Sequence, residues 1–550
     1  MKGKKLIFSS VLLITIFSFF AFSSPGQRYF EIAKNLEIFA TLFKEVNAMY
    51  VDEVNPNETI KVGIDAMLAS LDPYTNYIPE DQIEDYRTMS TGQYAGIGAV
   101  TGRMNGKIKI MMLVEGHSAQ NNGLHIGDEV IKIDGIDVTN MNNEEIGELM
   151  KGQANTSVSL TVLRYGHEDP LTLDFKREKV KIKNVPYYGM VSNDIGYIKQ
   201  TQFTMQAGKE VSDALNELKD KGAKKVILDL RGNPGGLLME AVNITNVFIP
   251  KGKEVVSTKG KLEENNSTYK TLNSPDDTEI PIAVLINSGS ASASEIVAGT
   301  IQDYDRGVII GEKSFGKGLV QQTRPLSYNA QLKVTTAKYY TPSGRCIQAL
   351  DYSHRNDDGS VGKVPDSLKV EFFTQNHRSV YDGGGIDPDI EVEHEKISPI
   401  SLTLYTNGLI FDFASKYHAE HDKIAPAKDF ELSDAEYDEF VKWLKDKDYG
   451  YTTDAEKTLE DLNEYAHEEK YYSEIEGQLK ALKATLMESK SNDLYDFKKQ
   501  LKTILEEEIT SRYYLDNGSI ESTFDHDTDI KTAKLILNDS EKYYSILKSN

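Results

Sequence analysis

One cysteine, Cys346, occurs in 550 residues, so no intramolecular disulfide can form and the chain must hold together by packing alone. With no partner thiol, Cys346 is expected as a small buried apolar side chain. Histidine is also scarce, and none lies between His167 and His354. A nucleophile in that interval must therefore find another base. No H-E-x-x-H spacing occurs, so no metal and no cofactor is expected. Positive charge is in short supply: 62 basic residues face 85 acidic ones, a formal net charge of −23. That argues against nucleic acid, whose phosphates need basic patches, and against an anionic membrane surface as a partner of the folded part. Long apolar runs are absent except for Leu6 to Phe22.

That run follows Lys2, Lys4 and Lys5 and ends at Ala21-Phe22-Ser23, a small-x-small site. Residues 1–24 thus read as an export signal, with an uncleaved N-terminal anchor as the alternative. Either reading implies an exported protein, periplasmic or anchored in the inner membrane and facing the periplasm. At 550 residues the chain exceeds one hydrophobic core, and several domains are expected.

Residues 29–90 carry Leu36, Phe39, Ala40, Phe43 and Tyr50 at helical spacing. Residues 91–178 differ. Tyr94-Ala95-Gly96-Ile97-Gly98-Ala99 enters strands expected at 107–114, 129–133 and 157–163, with a helix over 142–150 bearing Ile146 and Leu149 on one face. This order resembles a PDZ domain. Gly96-Ile97-Gly98-Ala99 would be its carboxylate-binding loop, because glycine lets consecutive N–H groups converge on one anion. Ile146 and Leu149 are assigned with that loop to peptide binding, beside a strand edge that can accept an extended tail.

From 185 to 395 strands and helices alternate, which predicts an α/β layer architecture. Strands are expected at 195–199, 226–230, 282–286 and 308–311, and helices at 208–221, 237–248 and 293–302. Beyond 400 the pattern turns to amphipathic helices, with apolar stripes at Ile475, Leu479, Leu482, Leu486 and at Leu494, Phe497, Leu501, Leu505. This region, 400–550, reads as a helical accessory domain without chemistry.

The segment Asn287 to Glu295 places serines at the mouth of a helix, and Gly316-Lys317-Gly318 follows 25 residues beyond Ser292. Ser292 and Glu295 form a capping box, so Ser292 could simply cap the helix. The same position also lies beside converging N–H groups that can hold an oxyanion. Burial can leave a lysine neutral enough to act as a base. In an extended segment, Lys317, Leu319 and Gln321 share a face, and a neutral amide there orients the amine without stabilising its charge. Gly311 to Gly318 also matches G-x-x-x-x-G-K. A P-loop needs Ser or Thr after the lysine, however, and here the residue is Gly318.

Leu228 to Gly236, Ser290 to Glu295 and Gly311 to Gln321, in that order behind a PDZ-like unit, resemble the carboxyl-terminal processing (tail-specific) proteases over roughly residues 35–395. The segment Tyr339 to Arg345 matches the family too. The resemblance implies a multidomain α+β and α/β chain with a crotonase-like (ClpP-like) core and an inserted PDZ domain. It implies a Ser-Lys dyad with Ser292 as nucleophile, Lys317 as general base and Gln321 orienting Lys317. It further implies an oxyanion hole from the N–H groups of Gly236 and Ala293, and protein substrates held by their C-terminal tails. The alternatives are a catalytically inactive PDZ scaffold on a protease-like core, and a crotonase-like enzyme acting on acyl thioesters.

Overall fold

The computed structural model describes residues 25–356 and 358–548. The signal or anchor read at 1–24 lies outside them. Among the described residues no helix is long and apolar enough to cross a membrane. The chain divides into two compact units: the part before Asp81 with Gln321–Thr335, and Asp81–Val320 with Thr336–Asn550.

The smaller unit contains helices Pro25–Met49 and Pro56–Ala69 and a short strand, Asn76–Ile78. That strand pairs antiparallel with residues 331–333. Leu36, Phe39, Ala40 and Phe43 lie in the first of these helices, with Leu36 and Phe39 on its surface, and Tyr50 falls just past its end. Buried Asp72 accepts the N–H groups of Tyr74 and Thr75 and ends the helical run.

The larger unit begins with the PDZ-like module. Its strands are β1 (Ala99–Met104), β2 (Lys107–Leu113), β3 (Glu129–Ile133), β4 (Ser157–Leu163) and β5 (Leu171–Lys176), with helix α1 (Asn143–Met150) between β3 and β4. They form one sheet in the order β1-β2-β3-β4-β5, which leaves β1 as a free edge. Strands Gln93–Gly96 and Glu178–Lys181 pair antiparallel at its base, so the two chain ends of the insertion meet.

The next layer is a six-stranded sheet: β6 (Tyr187–Met190), β7 (Ile195–Lys199), β8 (Lys225–Asp229), β9 (Ile282–Ile286), β10 (Val308–Gly311) and β11 (Ile390–Glu391), lying in sequence order. The first pair is antiparallel and the rest are parallel. Helices α2 (Ala207–Asp220), α3 (Leu238–Phe248) and α4 (Ala293–Asp303) cover one face. Side chains alternate across the pleat. Ile198, Val226, Leu228, Val284 and Ile309 meet those helices, whereas Tyr197, Ile227, Leu285 and Ile310 point the other way.

What covers that second face was not expected. It is the end of the chain: Phe524, Ile530, Ala533, Leu537 and Tyr543, from helices that include Thr528–Asn538. The C-terminal region is therefore not wholly an accessory. Its last segment is a layer of the core sandwich, because a parallel sheet needs both faces buried. The preceding segment forms its own helical core, in which Leu501 and Leu505 are fully buried and Leu494 and Phe497 partly so.

Arg231 joins the sheet to this layer. Its guanidinium donates to both oxygens of buried Asp229 at 3.0 and 2.7 Å, and to Asp529 at 2.7 Å. The Asp229 carboxyl is held far below its usual range by Arg231 and Lys199, against the cost of burial. Arg231→Met leaves buried carboxylates short of their countercharge and is expected to cost about 3–5 kcal/mol. Chemical denaturation of the purified variant measures this.

Candidate active site

Two loops and a strand entry build the site within the larger unit. The parallel strand β8 ends at Asp229 and runs into Arg231-Gly232-Asn233-Pro234-Gly235-Gly236. Asn233 organises that loop. Its side-chain oxygen accepts the Gly235 N–H at 2.9 Å and its amide donates to the Gln200 carbonyl at 2.9 Å. Its own carbonyl accepts the Ala291 N–H at 3.0 Å and the Ser294 hydroxyl at 2.9 Å. The loop is thereby fastened to the turn that carries Ser292.

Ser292 stands immediately before α4 with φ 55° and ψ −111°, a backbone region that side chains rarely adopt. Such a conformation costs on the order of 1–3 kcal/mol and persists only where its surroundings enforce it. Gly235 is part of that enforcement. A methyl group on it would lie 2.9 Å from the Ser292 Cβ and 2.8 Å from the Ala293 nitrogen. Ala293 opens the helix, so its N–H has no acceptor within it. Gly236 has φ 156°, and a Cβ there would strike the Phe203 carbonyl oxygen at 2.5 Å. Among the described residues neither the Gly236 nor the Ala293 N–H donates to another group of the chain. The Ala293 N–H adjoins Ser292 in the chain, and Gly236 follows the glycine that packs against it.

Lys317 follows strand β10 through the loop Glu312–Gly316. One side chain ties it to Ser292. Glu295, buried in α4, accepts the Ser292 N–H at 2.8 Å and the Lys317 N–H at 2.9 Å on the same oxygen. The two backbone nitrogens are thus no further apart than the sum of those distances. Its other oxygen accepts the Gly316 N–H at 2.7 Å and the Ser314 hydroxyl at 2.6 Å. Burial pushes the Glu295 carboxyl up to about 7, opposed by those four donors, that of Ser314 foremost. Sequence reading found Glu295 only as a helix cap. Its second task, holding the lysine segment, depends on a contact 22 residues away in the chain.

Two residues of the segment Tyr339 to Arg345 hold the ends of α4. The buried Tyr339 hydroxyl donates to the Ser292 carbonyl at 3.2 Å. Arg345, fully buried, pairs with Asp303 at the far end of α4 at 2.9 Å. Gln321 belongs to the smaller unit. There its amide donates to the Thr335 hydroxyl at 3.1 Å. After Lys317 the chain continues as strand Leu319–Pro325, whereas a P-loop lysine would open a helix. Cys346 is half-buried rather than fully so, and burial raises its thiol.

In the PDZ-like module, Gly98 has φ 80°, and a Cβ there would collide with His117 at 2.5 Å. Gly96, Ile97 and Ala99 line a cavity of about 590 Å³ together with Gly147 and Met150 of α1. Ile146 instead points fully into the module's core, and Leu149 packs partly buried against that core. Sequence periodicity located the apolar face of α1 but not its groove-facing edge. The same cavity reaches Thr201 and Gln202, next to Phe203, which bridges to Gly236.

Gly235→Ala is expected to lower kcat/KM at least about 100-fold, because the added methyl displaces the Ser292 turn and the Ala293 N–H. Steady-state kinetics of the purified variant measure this. For Glu295, the folded protein holds a proton between the ordinary carboxyl value of 4.5 and about 7 that the unfolded chain has released. Its contribution to stability is therefore present below that window and lost as pH rises through it. Relative to Glu295→Gln, the native protein should lose about 3 kcal/mol between pH 4.5 and 8. Paired thermal melts across that range measure the difference.

Three family models match this chain: "Peptidase family S41" over residues 194–353, "PDZ domain" over 85–163, and "Probable PDZ-protease, C-terminal helical domain" over 400–537. A carboxy-terminal-processing protease of Bartonella bacilliformis is 37% identical over 348 residues, covering 62% of this chain and 79% of that protein. A CtpA-like serine protease of Staphylococcus aureus is 34% identical, covering 62% and 68%. Among solved structures, a photosystem II D1 C-terminal processing protease is similar at 24% identity and a TM-score of 0.36, covering 64% of this chain and 86% of that one. With its S41 peptidase core, PDZ domain and C-terminal helical domain, this chain belongs to the family of carboxy-terminal-processing serine proteases.

Proposed function

We propose that this chain is an exported endopeptidase that works through a Ser292–Lys317 dyad and recognises its substrates by their C-terminal tails. The observation that carries the dyad is the single Glu295 oxygen shared by the Ser292 and Lys317 backbones. It fastens the two backbone segments side by side, which supports pairing the serine with the lysine. In this reading neutral Lys317 takes the Ser292 proton as the oxygen attacks a peptide carbonyl. The tetrahedral oxyanion is held by the Gly236 and Ala293 N–H groups. Lys317 returns the proton to the departing amine, and water then hydrolyses the acyl-enzyme.

Tail recognition rests on the module's groove. Strand β1 offers a free edge, and the Gly96–Ala99 loop lies at the start of it. A peptide added there as a strand would present its terminal carboxylate to the loop. The cavity running from that loop to Gln202 gives a route from the tail site toward the oxyanion donors.

Ser292→Ala and Lys317→Ala should each abolish peptide cleavage while leaving the melting temperature within a few degrees of the native value. Turnover retained in both variants would reject the dyad. Labelling of the native protein, but not of Ser292→Ala, by a serine-directed covalent probe supplies an independent check.

A further inference from the structure

The helix Lys498–Thr523 of the C-terminal domain is broken at one residue. Leu515 has φ 54° and ψ −148°, a region that is nearly closed to leucine. The break is accommodated three residues later. A Cβ on Gly518 would lie 2.5 Å from the Tyr514 Cβ and 2.7 Å from the Thr510 carbonyl oxygen, so only glycine fits there. The strained residue does not point into its own domain's core. It packs against the hydrophobic core of the PDZ domain. Leu515, Asp516 and Asn517 line the same cavity of about 590 Å³ as Gly96, Ile97, Ala99 and Met150. The cavity remains open, with room of the size that ligand sites have. Leu515 is thus a wall of the groove and does not fill it.

The two domains are held in this register by further contacts. Lys109 of β2 pairs with Asp412. Phe411 is buried in the PDZ core, and the Arg512 guanidinium both stacks over its ring and donates to its carbonyl at 3.0 Å. A Cβ on Gly127 would collide with Ser415. Strain at Leu515 is therefore maintained by an extensive interface, and its effect is to place an aliphatic side chain in the peptide groove.

We propose that the C-terminal helical domain completes the tail-binding groove, and that Leu515 is a specificity-determining residue that selects substrates ending in a large apolar side chain. The proposal rests on the tail-recognition reading above. Groove walls made only by the PDZ domain would leave a terminal leucine or phenylalanine open to solvent on the side that Leu515 closes. Burial of apolar surface against that wall favours large terminal residues over alanine.

The test uses the full chain carrying Ser292→Ala, so that peptides are not consumed. Fluorescent peptides identical except for a terminal Ala, Val, Leu or Phe are titrated by anisotropy. Leu515→Gly keeps the backbone conformation that only glycine adopts freely. It should weaken Leu- and Phe-ended tails about tenfold, the loss of one apolar contact, and Ala-ended tails little. Leu515→Met should restore the preference. In the active protein, Leu515→Gly should raise KM for Leu-ended substrates with kcat unchanged. Equal loss for all four tails, no loss, or tighter binding on removing the side chain would overturn the assignment. If the Ser292→Ala protein with Leu515 intact binds no tail at all, tail recognition itself fails and takes this proposal with it. Binding that is insensitive to residue 515 removes only the composite groove.

Discussion

A single buried carboxylate holds the active site together. Glu295 accepts hydrogen bonds from Ser292, Ser314, Gly316 and Lys317. It thereby fastens the start of α4 to the loop that follows strand β10. Without it, two segments separated by 22 residues would lose the common acceptor of their N–H groups, leaving the Phe315 N–H on the Ser290 carbonyl as a backbone tie between them. Its position is in turn set by α4, which packs on the sheet by Ile296, Val297 and Ile301. Hydrophobic burial positions the helix, the helix positions the carboxylate, and the carboxylate positions the Ser292 and Lys317 segments.

The glycine-rich loop has the same logic with a different device. Asn233 ties the glycine loop to Ala291 and Ser294, and Gly235 lets that loop approach Ser292 more closely than any side chain would allow. The strain at Ser292 is sustained by these contacts. Leu515 shows a comparable arrangement in another domain, where an unfavourable backbone is maintained by packing at an interface. In both cases the cost of a strained residue is carried by neighbours that are otherwise well satisfied.

Much of the core was legible because its signals are local. Strands at 195–199, 282–286 and 308–311 occur as expected, since short apolar runs bounded by turns have few other uses in an alternating chain. Helix α1 falls where a helix over 142–150 was expected, and the structure adds a capping box at Asn142 and Glu145. Ser292, Lys317 and the Gly-rich loop were legible as motifs. Their adjacency was not, because it depends on which parallel strands neighbour one another. The groove-lining role of Met150, in place of inward-facing Ile146, turns on the rotation of one helix by less than a turn.

The amino-acid order by itself determined the residue chemistry: a serine at a helix mouth, a lysine between glycines, and a region without histidine. It also determined the layered α/β class, because alternation and capping are encoded within a few residues. Only the tertiary structure decided that the end of the chain seals the second face of the catalytic sheet. It alone brought Arg231 to Asp529 and Leu515 to the PDZ core. Those contacts join residues up to several hundred positions apart. No local pattern records them, because burial rewards any apolar surface that fits and does not name its partner.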